Sequence, residues 1–290
     1  MKRFRRLLAR FGPTEPRAYF PPNISAELDL IRRGLSKAAG NEMRMLEFAS
    51  GLSSSQPHFT PFDYEPDGSI VRIRQQEQTL TFPRPIPRVK YTLLVSGYLR
   101  WLERKYTLPG FCEVETGDHV IDCGAYIGGF GLSVAGTAGH VAFFEPDPDN
   151  YACLSRNIEG QNTLAAHRMG LHSSSGILRF NRSESSVEHS FLSPDDGTHL
   201  ETIDVEIVRL DEFAQSRGIS EVDFLKIEAE GVEIEVFEGA GELPVRKMAI
   251  DVSDERDGQS PRGYFEDALR RRGYEVSVRR NVLFARRVGT

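Results

Sequence analysis

Three ionisable side chains crowd one short stretch of the sequence. In VDFLKIEAEGVEIEVFEGA, residues 222–240, an apolar run delivers Lys226, Glu228 and Glu230 to its end before Gly231. If the run is a strand and continues, alternation puts all three on one side, so the lysine neutralises at least one of the acids. Carboxylates tuned in this way can take a proton from a reacting group. The alternative is a charge-rich strand end that Lys226 merely stabilises. Glu233 and Glu235 follow in the first turn of a helix, where negative charge suits the helix dipole.

A second cluster lies upstream, in VIDCGAYIGGFGLSVAG, residues 120–136. An apolar run here meets Gly124, Gly128 and Gly129 and then opens into a helix, a way of bringing backbone close to a small molecule. The spacing G-x-x-x-G-G departs from the G-x-G-x-x-G of dinucleotide sites and suits a ligand without a pyrophosphate. Asp122 precedes the turn at the edge where parallel sheets bind ligands, and it can hold a ligand ammonium or tie down the turn's own N–H groups. Glu145 ends the next apolar run, where a carboxylate can accept hydrogen bonds from ribose hydroxyls. In the PDPDN that follows, Asp147 or Asp149 can cap a helix. His189, His199, Asp251 and Asp254 are further candidates for the proton-accepting group, the histidines because they titrate near neutrality.

These residues need a scaffold, and the pattern from residue 117 onward supplies one. Strands HVIDCG, HVAFFEP, LAAHRMGL, VDFLKIE and RKMAIDV alternate with helices, and a terminal pair YEVSVRR and NVLFARR closes the chain. That is the rhythm of an α/β protein with a parallel sheet covered on both faces. GILRFN and TIDVEIVRL read as two more strands flanking a polar stretch, residues 182–201, long enough to be a substrate loop. Upstream, residues 13–23 are proline-rich and read as a linker, Ser25 can cap a following helix, 69–82 reads as two strands, and 90–106 as one helix. The division expected is an N-terminal accessory region, 1–110, and a catalytic domain, 111–290.

Bulk composition excludes little but is informative. The 290 residues carry 36 Lys plus Arg against 42 Asp plus Glu, a formal charge of −6, so nothing calls for nucleic acid as a partner. Cys112, Cys123 and Cys153 show no metal or disulfide spacing, and no metal requirement is expected. The opening MKRFRRLLARFG has too short an apolar run for a signal peptide, so a cytoplasmic protein is expected. Phe4, Leu7, Leu8 and Phe11 share a helical face among arginines, which fits either packing on the protein itself or contact of residues 1–12 with an anionic membrane or a partner.

The ordered set GDHVIDCGAYIGGF, FFEPDPDNYACLSRNI, RLDEF and VDFLKIEAEGVEIEVFEGA resembles the FkbM-type methyltransferases, class I enzymes that use S-adenosylmethionine and usually methylate hydroxyl oxygens. The resemblance implies a Rossmann-like, seven-stranded, mostly parallel sheet with an antiparallel last strand. It further implies that Asp122, Gly124, Ala125 and Gly128 cradle the methionine half of the cofactor. Glu145, with Pro146 and Asp147 beside it, would hold the ribose, and Gly170 and Leu171 within MGLHS would lie by the adenine. For the methyl transfer so implied, Glu228 and Glu230 are candidate catalytic bases, with Lys226 tuning them. The family usually shows K-I-D-x-E-G, and this chain has Glu228 at the aspartate position, about one bond length longer. The expected acceptor is a hydroxyl of a sugar, glycan or secondary metabolite. An NAD-dependent oxidoreductase and a catalytically silent cofactor-binding protein are the competing readings.

Overall fold

The computed structural model describes residues 31, 33–38, 40–183, 199–254 and 258–289. The basic segment 1–12, the linker 13–23, Ser25 and His189 lie outside them. The chain divides into two compact units, residues 1–105 and 106–290.

The first unit combines helices with a small antiparallel sheet. Helix α1 (Glu42–Ser55) is capped by Asn41, whose side chain accepts the Arg44 N–H. The expected pair of strands is a three-stranded meander, β1 (Phe62–Asp67), β2 (Ile70–Gln75) and β3 (Gln78–Pro83). The extra strand, FDYEPD, escapes a hydrophobicity reading because only Phe62 is buried and its proline is tolerated at a sheet edge. The single helix expected over 90–106 is two, α2 (Arg88–Val95) and α3 (Tyr98–Tyr106). Gly97, at φ +86°, ends the first by donating its N–H to the Leu94 carbonyl.

The second unit is built on a seven-stranded sheet. Its strands are β4 (His119–Cys123), β5 (His140–Phe144), β6 (Leu164–His167), β10 (Val222–Ile227), β11 (Val245–Asp251), β12 (Tyr274–Arg279) and β13 (Val282–Arg287), in the spatial order β6-β5-β4-β10-β11-β13-β12. The first five in that order run parallel, and β13 is inserted antiparallel between β11 and β12. This is the mostly parallel, Rossmann-like sheet with an antiparallel last strand that the resemblance implies. The central strands are apolar throughout because both faces are covered. Helices α4 (Gly129–Val134), α5 (Pro148–Asn157), α7 (Glu233–Gly239) and α8 (Arg262–Arg271) connect them.

LAAHRMGL does not form one strand. β6 ends at His167, because its partner β5 ends at Phe144, and Gly170–Leu171 forms β7 in a second sheet. There β7 runs parallel to β9 (His199–Val208), which pairs antiparallel with β8 (Gly176–Ser183). Helix α6 (Leu210–Ser216) follows β9. His199 thus opens a strand instead of sitting in a loop.

Candidate active site

The glycine turn after β4, the end of β5 and the turn after β10 meet at the carboxyl edge of three adjacent strands. Parallel register sets Lys226 of β10 beside Asp122 of β4. Both are buried, and the Lys226 Nζ lies 3.1 Å from Asp122 Oδ1 and 3.5 Å from Glu228 Oε2. The same ammonium donates to the carbonyls of Cys123 at 3.0 Å and Gly124 at 2.8 Å, and stands 5.2 Å above the Tyr106 ring. Burial alone would discharge this lysine, but the Asp122 and Glu228 carboxylates hold its pKa above the ordinary lysine value. Asp122 Oδ2 accepts the Gly131 N–H at 2.9 Å. Asp122 thus ties the Gly131 backbone N–H to the strand end.

The glycines of the turn do separate jobs. Gly124 adopts φ +69°, and a Cβ there would stand 1.7 Å from the Glu228 carbonyl oxygen, so the two turns touch backbone to backbone. The Glu228 N–H reinforces this by donating to the Cys123 carbonyl at 3.2 Å. Gly131, which the sequence reading passed over, lets α4 lie on β5, since its Cβ would meet the Phe143 ring at 2.2 Å. Its signal is a further glycine two positions beyond Gly129, with spacing suited to helix–strand contact. Ala125 and Gly128 complete the turn, the Gly128 N–H donating to the Ala125 carbonyl at 2.8 Å.

Glu145 sits directly after β5 with only 6% of its surface exposed. Its Oε2 accepts the Tyr126 N–H at 2.7 Å, and its Oε1 accepts the Asp147 N–H at 3.0 Å and the Asn150 side-chain amide at 3.4 Å. Desolvation and the neighbouring Asp147 charge push its carboxyl up to about 8, against the pull of these donors. Asp147, beyond Pro146, caps α5 by accepting the Asp149 and Asn150 N–H groups at 2.9 Å, while its other oxygen meets Arg182 Nε of β8 at 2.6 Å. The capping reading of PDPDN is therefore realised at Asp147. Arg182 also pairs with Asp149 and Glu201. Gly170 and Leu171 are buried in β7, where the next carbonyl, of His172, approaches α7 so closely that a Cβ on Gly239 would stand 2.1 Å from it.

The raised Glu145 carboxyl has a measurable consequence. Between roughly pH 4.5 and 8 the folded protein holds a proton that the unfolded chain has released, so stability falls as pH rises through that window. The slope approaches about 1.4 kcal/mol per pH unit. Urea midpoints measured from pH 5 to 9 should decline in the wild type and decline less in Glu145→Gln. Parallel declines in the two proteins would remove Glu145 as the source.

After Ile227 the chain leaves the strand, so Glu230 does not continue the alternation of Lys226 and Glu228. Glu230 takes φ +48° and Gly231 φ +101°, a tight turn into α7. Glu233, expected as a partner of the helix dipole, is only 3% exposed and accepts the Ala229 and Gly231 N–H groups. Burial, with the charge of Asp251 adding, pushes its carboxyl up to about 7 despite those bonds. Asp251 ends β11, where its Oδ1 accepts the Ser253 N–H at 2.9 Å and the Asn281 side-chain amide at 3.3 Å. No group of three or more His, Cys, Asp or Glu among the described residues is arranged to hold a metal ion. No helix among them is long and apolar enough to cross a membrane.

Comparison with known proteins bears on this arrangement. A family model described as "Methyltransferase FkbM domain" matches residues 122–276. The chain is 29% identical over 128 residues to the hexuronic acid methyltransferase AglP of Haloferax volcanii, covering 44% of this chain and 52% of that protein. It is 27% identical over 191 residues to the methyltransferase sdnD of Sordaria araneosa, covering 54% and 74%. It is also 34% identical over 94 residues to the AMB antimetabolite synthetase AmbE of Pseudomonas aeruginosa, covering 31% of this chain and 4% of the synthetase. The match thus spans about half of the first methyltransferase and a small piece of the synthetase.

Proposed function

The chain belongs to the FkbM methyltransferase family, and from that premise we propose that it transfers a methyl group from S-adenosylmethionine to a hydroxyl oxygen of a sugar, glycan or secondary metabolite. The observation that carries this reading is the meeting of the glycine turn, Glu145 and the turn after β10 at one sheet edge. The donor set fits the cofactor. A buried carboxyl met only by neutral hydrogen-bond donors, as Glu145 is, suits ribose hydroxyls, since with its proton held it offers one O–H donor and remaining acceptor capacity, and a hydroxyl can meet either. The backbone of Gly124, Ala125 and Gly128 would face the methionine end, with Asp122 holding that turn from behind. Pro146 and Asp147 would border the ribose, and Gly170 and Leu171 the adenine side.

The bound cofactor supplies a methyl group activated by its sulfonium. What remains for the protein is alignment of the acceptor oxygen and removal of its proton. Lys226 is committed to two carbonyls and Asp122, so it serves by fixing the turn and by charge. Glu228 and Glu230, in the turn after β10, are the bases available at this edge. Likeness to a hexuronic acid methyltransferase supports a sugar acceptor carrying a carboxylate. We place this activity in the cytoplasm, without nucleic acid as substrate, and assign substrate selection to the first unit.

Calorimetric titration with S-adenosylhomocysteine, with NAD as comparison, tests the cofactor without knowledge of the acceptor. Micromolar or tighter binding of the former alone, about −8 kcal/mol, supports the reading, and binding of NAD alone ends it. Glu145→Ala should weaken S-adenosylhomocysteine binding by about 1 to 3 kcal/mol. Unchanged affinity in a folded variant would remove the ribose contact. Release of S-adenosylhomocysteine in the presence of glucuronate and galacturonate glycosides, against neutral glucosides, tests the acceptor class.

A further inference from the structure

Glu233 is the first residue of α7, yet its carboxylate turns back to the chain that precedes the helix. A single oxygen, Oε1, accepts the Ala229 N–H at 2.9 Å and the Gly231 N–H at 3.1 Å. Those two amides bracket Glu230, which is held at φ +48°, a conformation that costs a non-glycine residue free energy. A helix-dipole partner would work as well in solvent, but this side chain is 3% exposed, and the Ala229 and Gly231 N–H groups it accepts lie outside the helix. Burying a carboxylate is costly unless its hydrogen bonds are specific and strong. The opposite side of the same turn is fixed by the Glu228 N–H on the Cys123 carbonyl and by the close approach of Gly124 to the Glu228 oxygen.

We propose that Glu233 is a positioning residue for methyl transfer: it locks the 229–231 turn so that Glu230 is presented at the cofactor-binding edge in one conformation. This rests on the reading above that Glu230 takes part in the reaction. Glutamine keeps an oxygen able to accept both N–H groups, whereas alanine removes the lock. The two substitutions therefore separate hydrogen bonding from negative charge.

The test compares Glu233→Ala, Glu233→Gln, Glu230→Gln and the double variant Glu230→Gln/Glu233→Ala. Its first measurement is amide hydrogen exchange at Ala229 and Gly231 in the protein alone. Exchange there should quicken in Glu233→Ala, stay slow in Glu233→Gln, and remain slow in β4 and β10 of both. Its second is turnover with the glycoside that gives the fastest S-adenosylhomocysteine release in the acceptor screen. Misplacing a reacting group by about 1 Å can cost on the order of 100-fold, so kcat should fall about 10- to 100-fold in Glu233→Ala and within about 3-fold in Glu233→Gln. S-adenosylhomocysteine affinity should hold within about 3-fold, and Glu233→Ala should add less than about 3-fold in the Glu230→Gln background, as expected of residues acting as a unit. Amides that exchange at the wild-type rate in Glu233→Ala, or effects that multiply in the double variant, would overturn the proposal. Wild-type turnover in Glu230→Gln would overturn it differently, by removing the role of Glu230, while the exchange data still decide whether Glu233 locks the turn.

Discussion

Lys226→Met is expected to destabilise the second unit by about 3–5 kcal/mol, the range for breaking a buried ion pair by removing one partner. The methionine fills most of the volume, so the loss is electrostatic. Asp122 is fully buried, and without the ammonium 3.1 Å away its charge has no cation left among the described residues. The Cys123 and Gly124 carbonyls lose a donor in the same step, and Glu228 loses one of its ion-pair contacts. Because those carbonyls belong to the glycine turn, S-adenosylhomocysteine affinity should fall together with stability. Urea denaturation and calorimetric titration of the same preparations measure the two effects. The double variant Lys226→Met/Asp122→Asn should recover a large part of the stability, since removing both members of a buried pair costs far less than removing one. A single variant as stable as the wild type would show that the lysine is not what keeps Asp122 in the core.

The partnership behind this prediction was within reach of the sequence once the topology was assumed. A doubly wound sheet places the first and fourth strands of the domain side by side, and in parallel register the lysine of KIE then falls opposite the aspartate of VIDC. From the sequence, Lys226 is expected to neutralise at least one of Glu228 and Glu230, which share its segment, whereas the nearer carboxylate belongs to a strand more than a hundred residues away. Local patterns were read well wherever burial on both faces made a strand continuously apolar, as in β4, β5, β10 and β11. They failed where tertiary pairing decides. LAAHRMGL divides because β5 ends, and no property of the segment itself announces that.

The two acids after Gly231 illustrate the same limit at the scale of a single side chain. Glu233 and Glu235 both occupy the first turn of α7, and helix-dipole reasoning treats them alike. Only the path of 228–231, set by contact with the glycine turn, turns the first of them into a buried hydrogen-bond acceptor. Gly131 escapes a reading from sequence for a related reason. A glycine within a helical pattern reads as merely tolerated, but here the missing side chain is what lets α4 rest against Phe143 and lets its N–H reach Asp122.

Gly124→Ala is expected to be the most damaging small substitution in the chain. At φ +69° an alanine carries backbone strain of about 1–3 kcal/mol before any contact is considered. Its Cβ would then stand 1.7 Å from the Glu228 carbonyl oxygen, a backbone atom that no rotamer change can move. Relief requires the turns after β4 and β10 to separate. That separation breaks the bond from the Glu228 N–H to the Cys123 carbonyl and pulls the Gly124 carbonyl from Lys226. S-adenosylhomocysteine affinity should therefore fall by at least about 100-fold, the equivalent of about 2.7 kcal/mol, in whatever fraction remains folded. Gly136→Ala is the control, because its Cβ would meet nothing within 4 Å and its φ lies outside the left-handed region. It should bind and unfold like the wild type. Gly131→Ala should fall between the two, since its 2.2 Å collision is with the Phe143 side chain, which can give way where the Glu228 backbone cannot. Near-wild-type affinity in Gly124→Ala would mean that the two turns can part without cost, and the cofactor edge would then have to be sought elsewhere on the sheet.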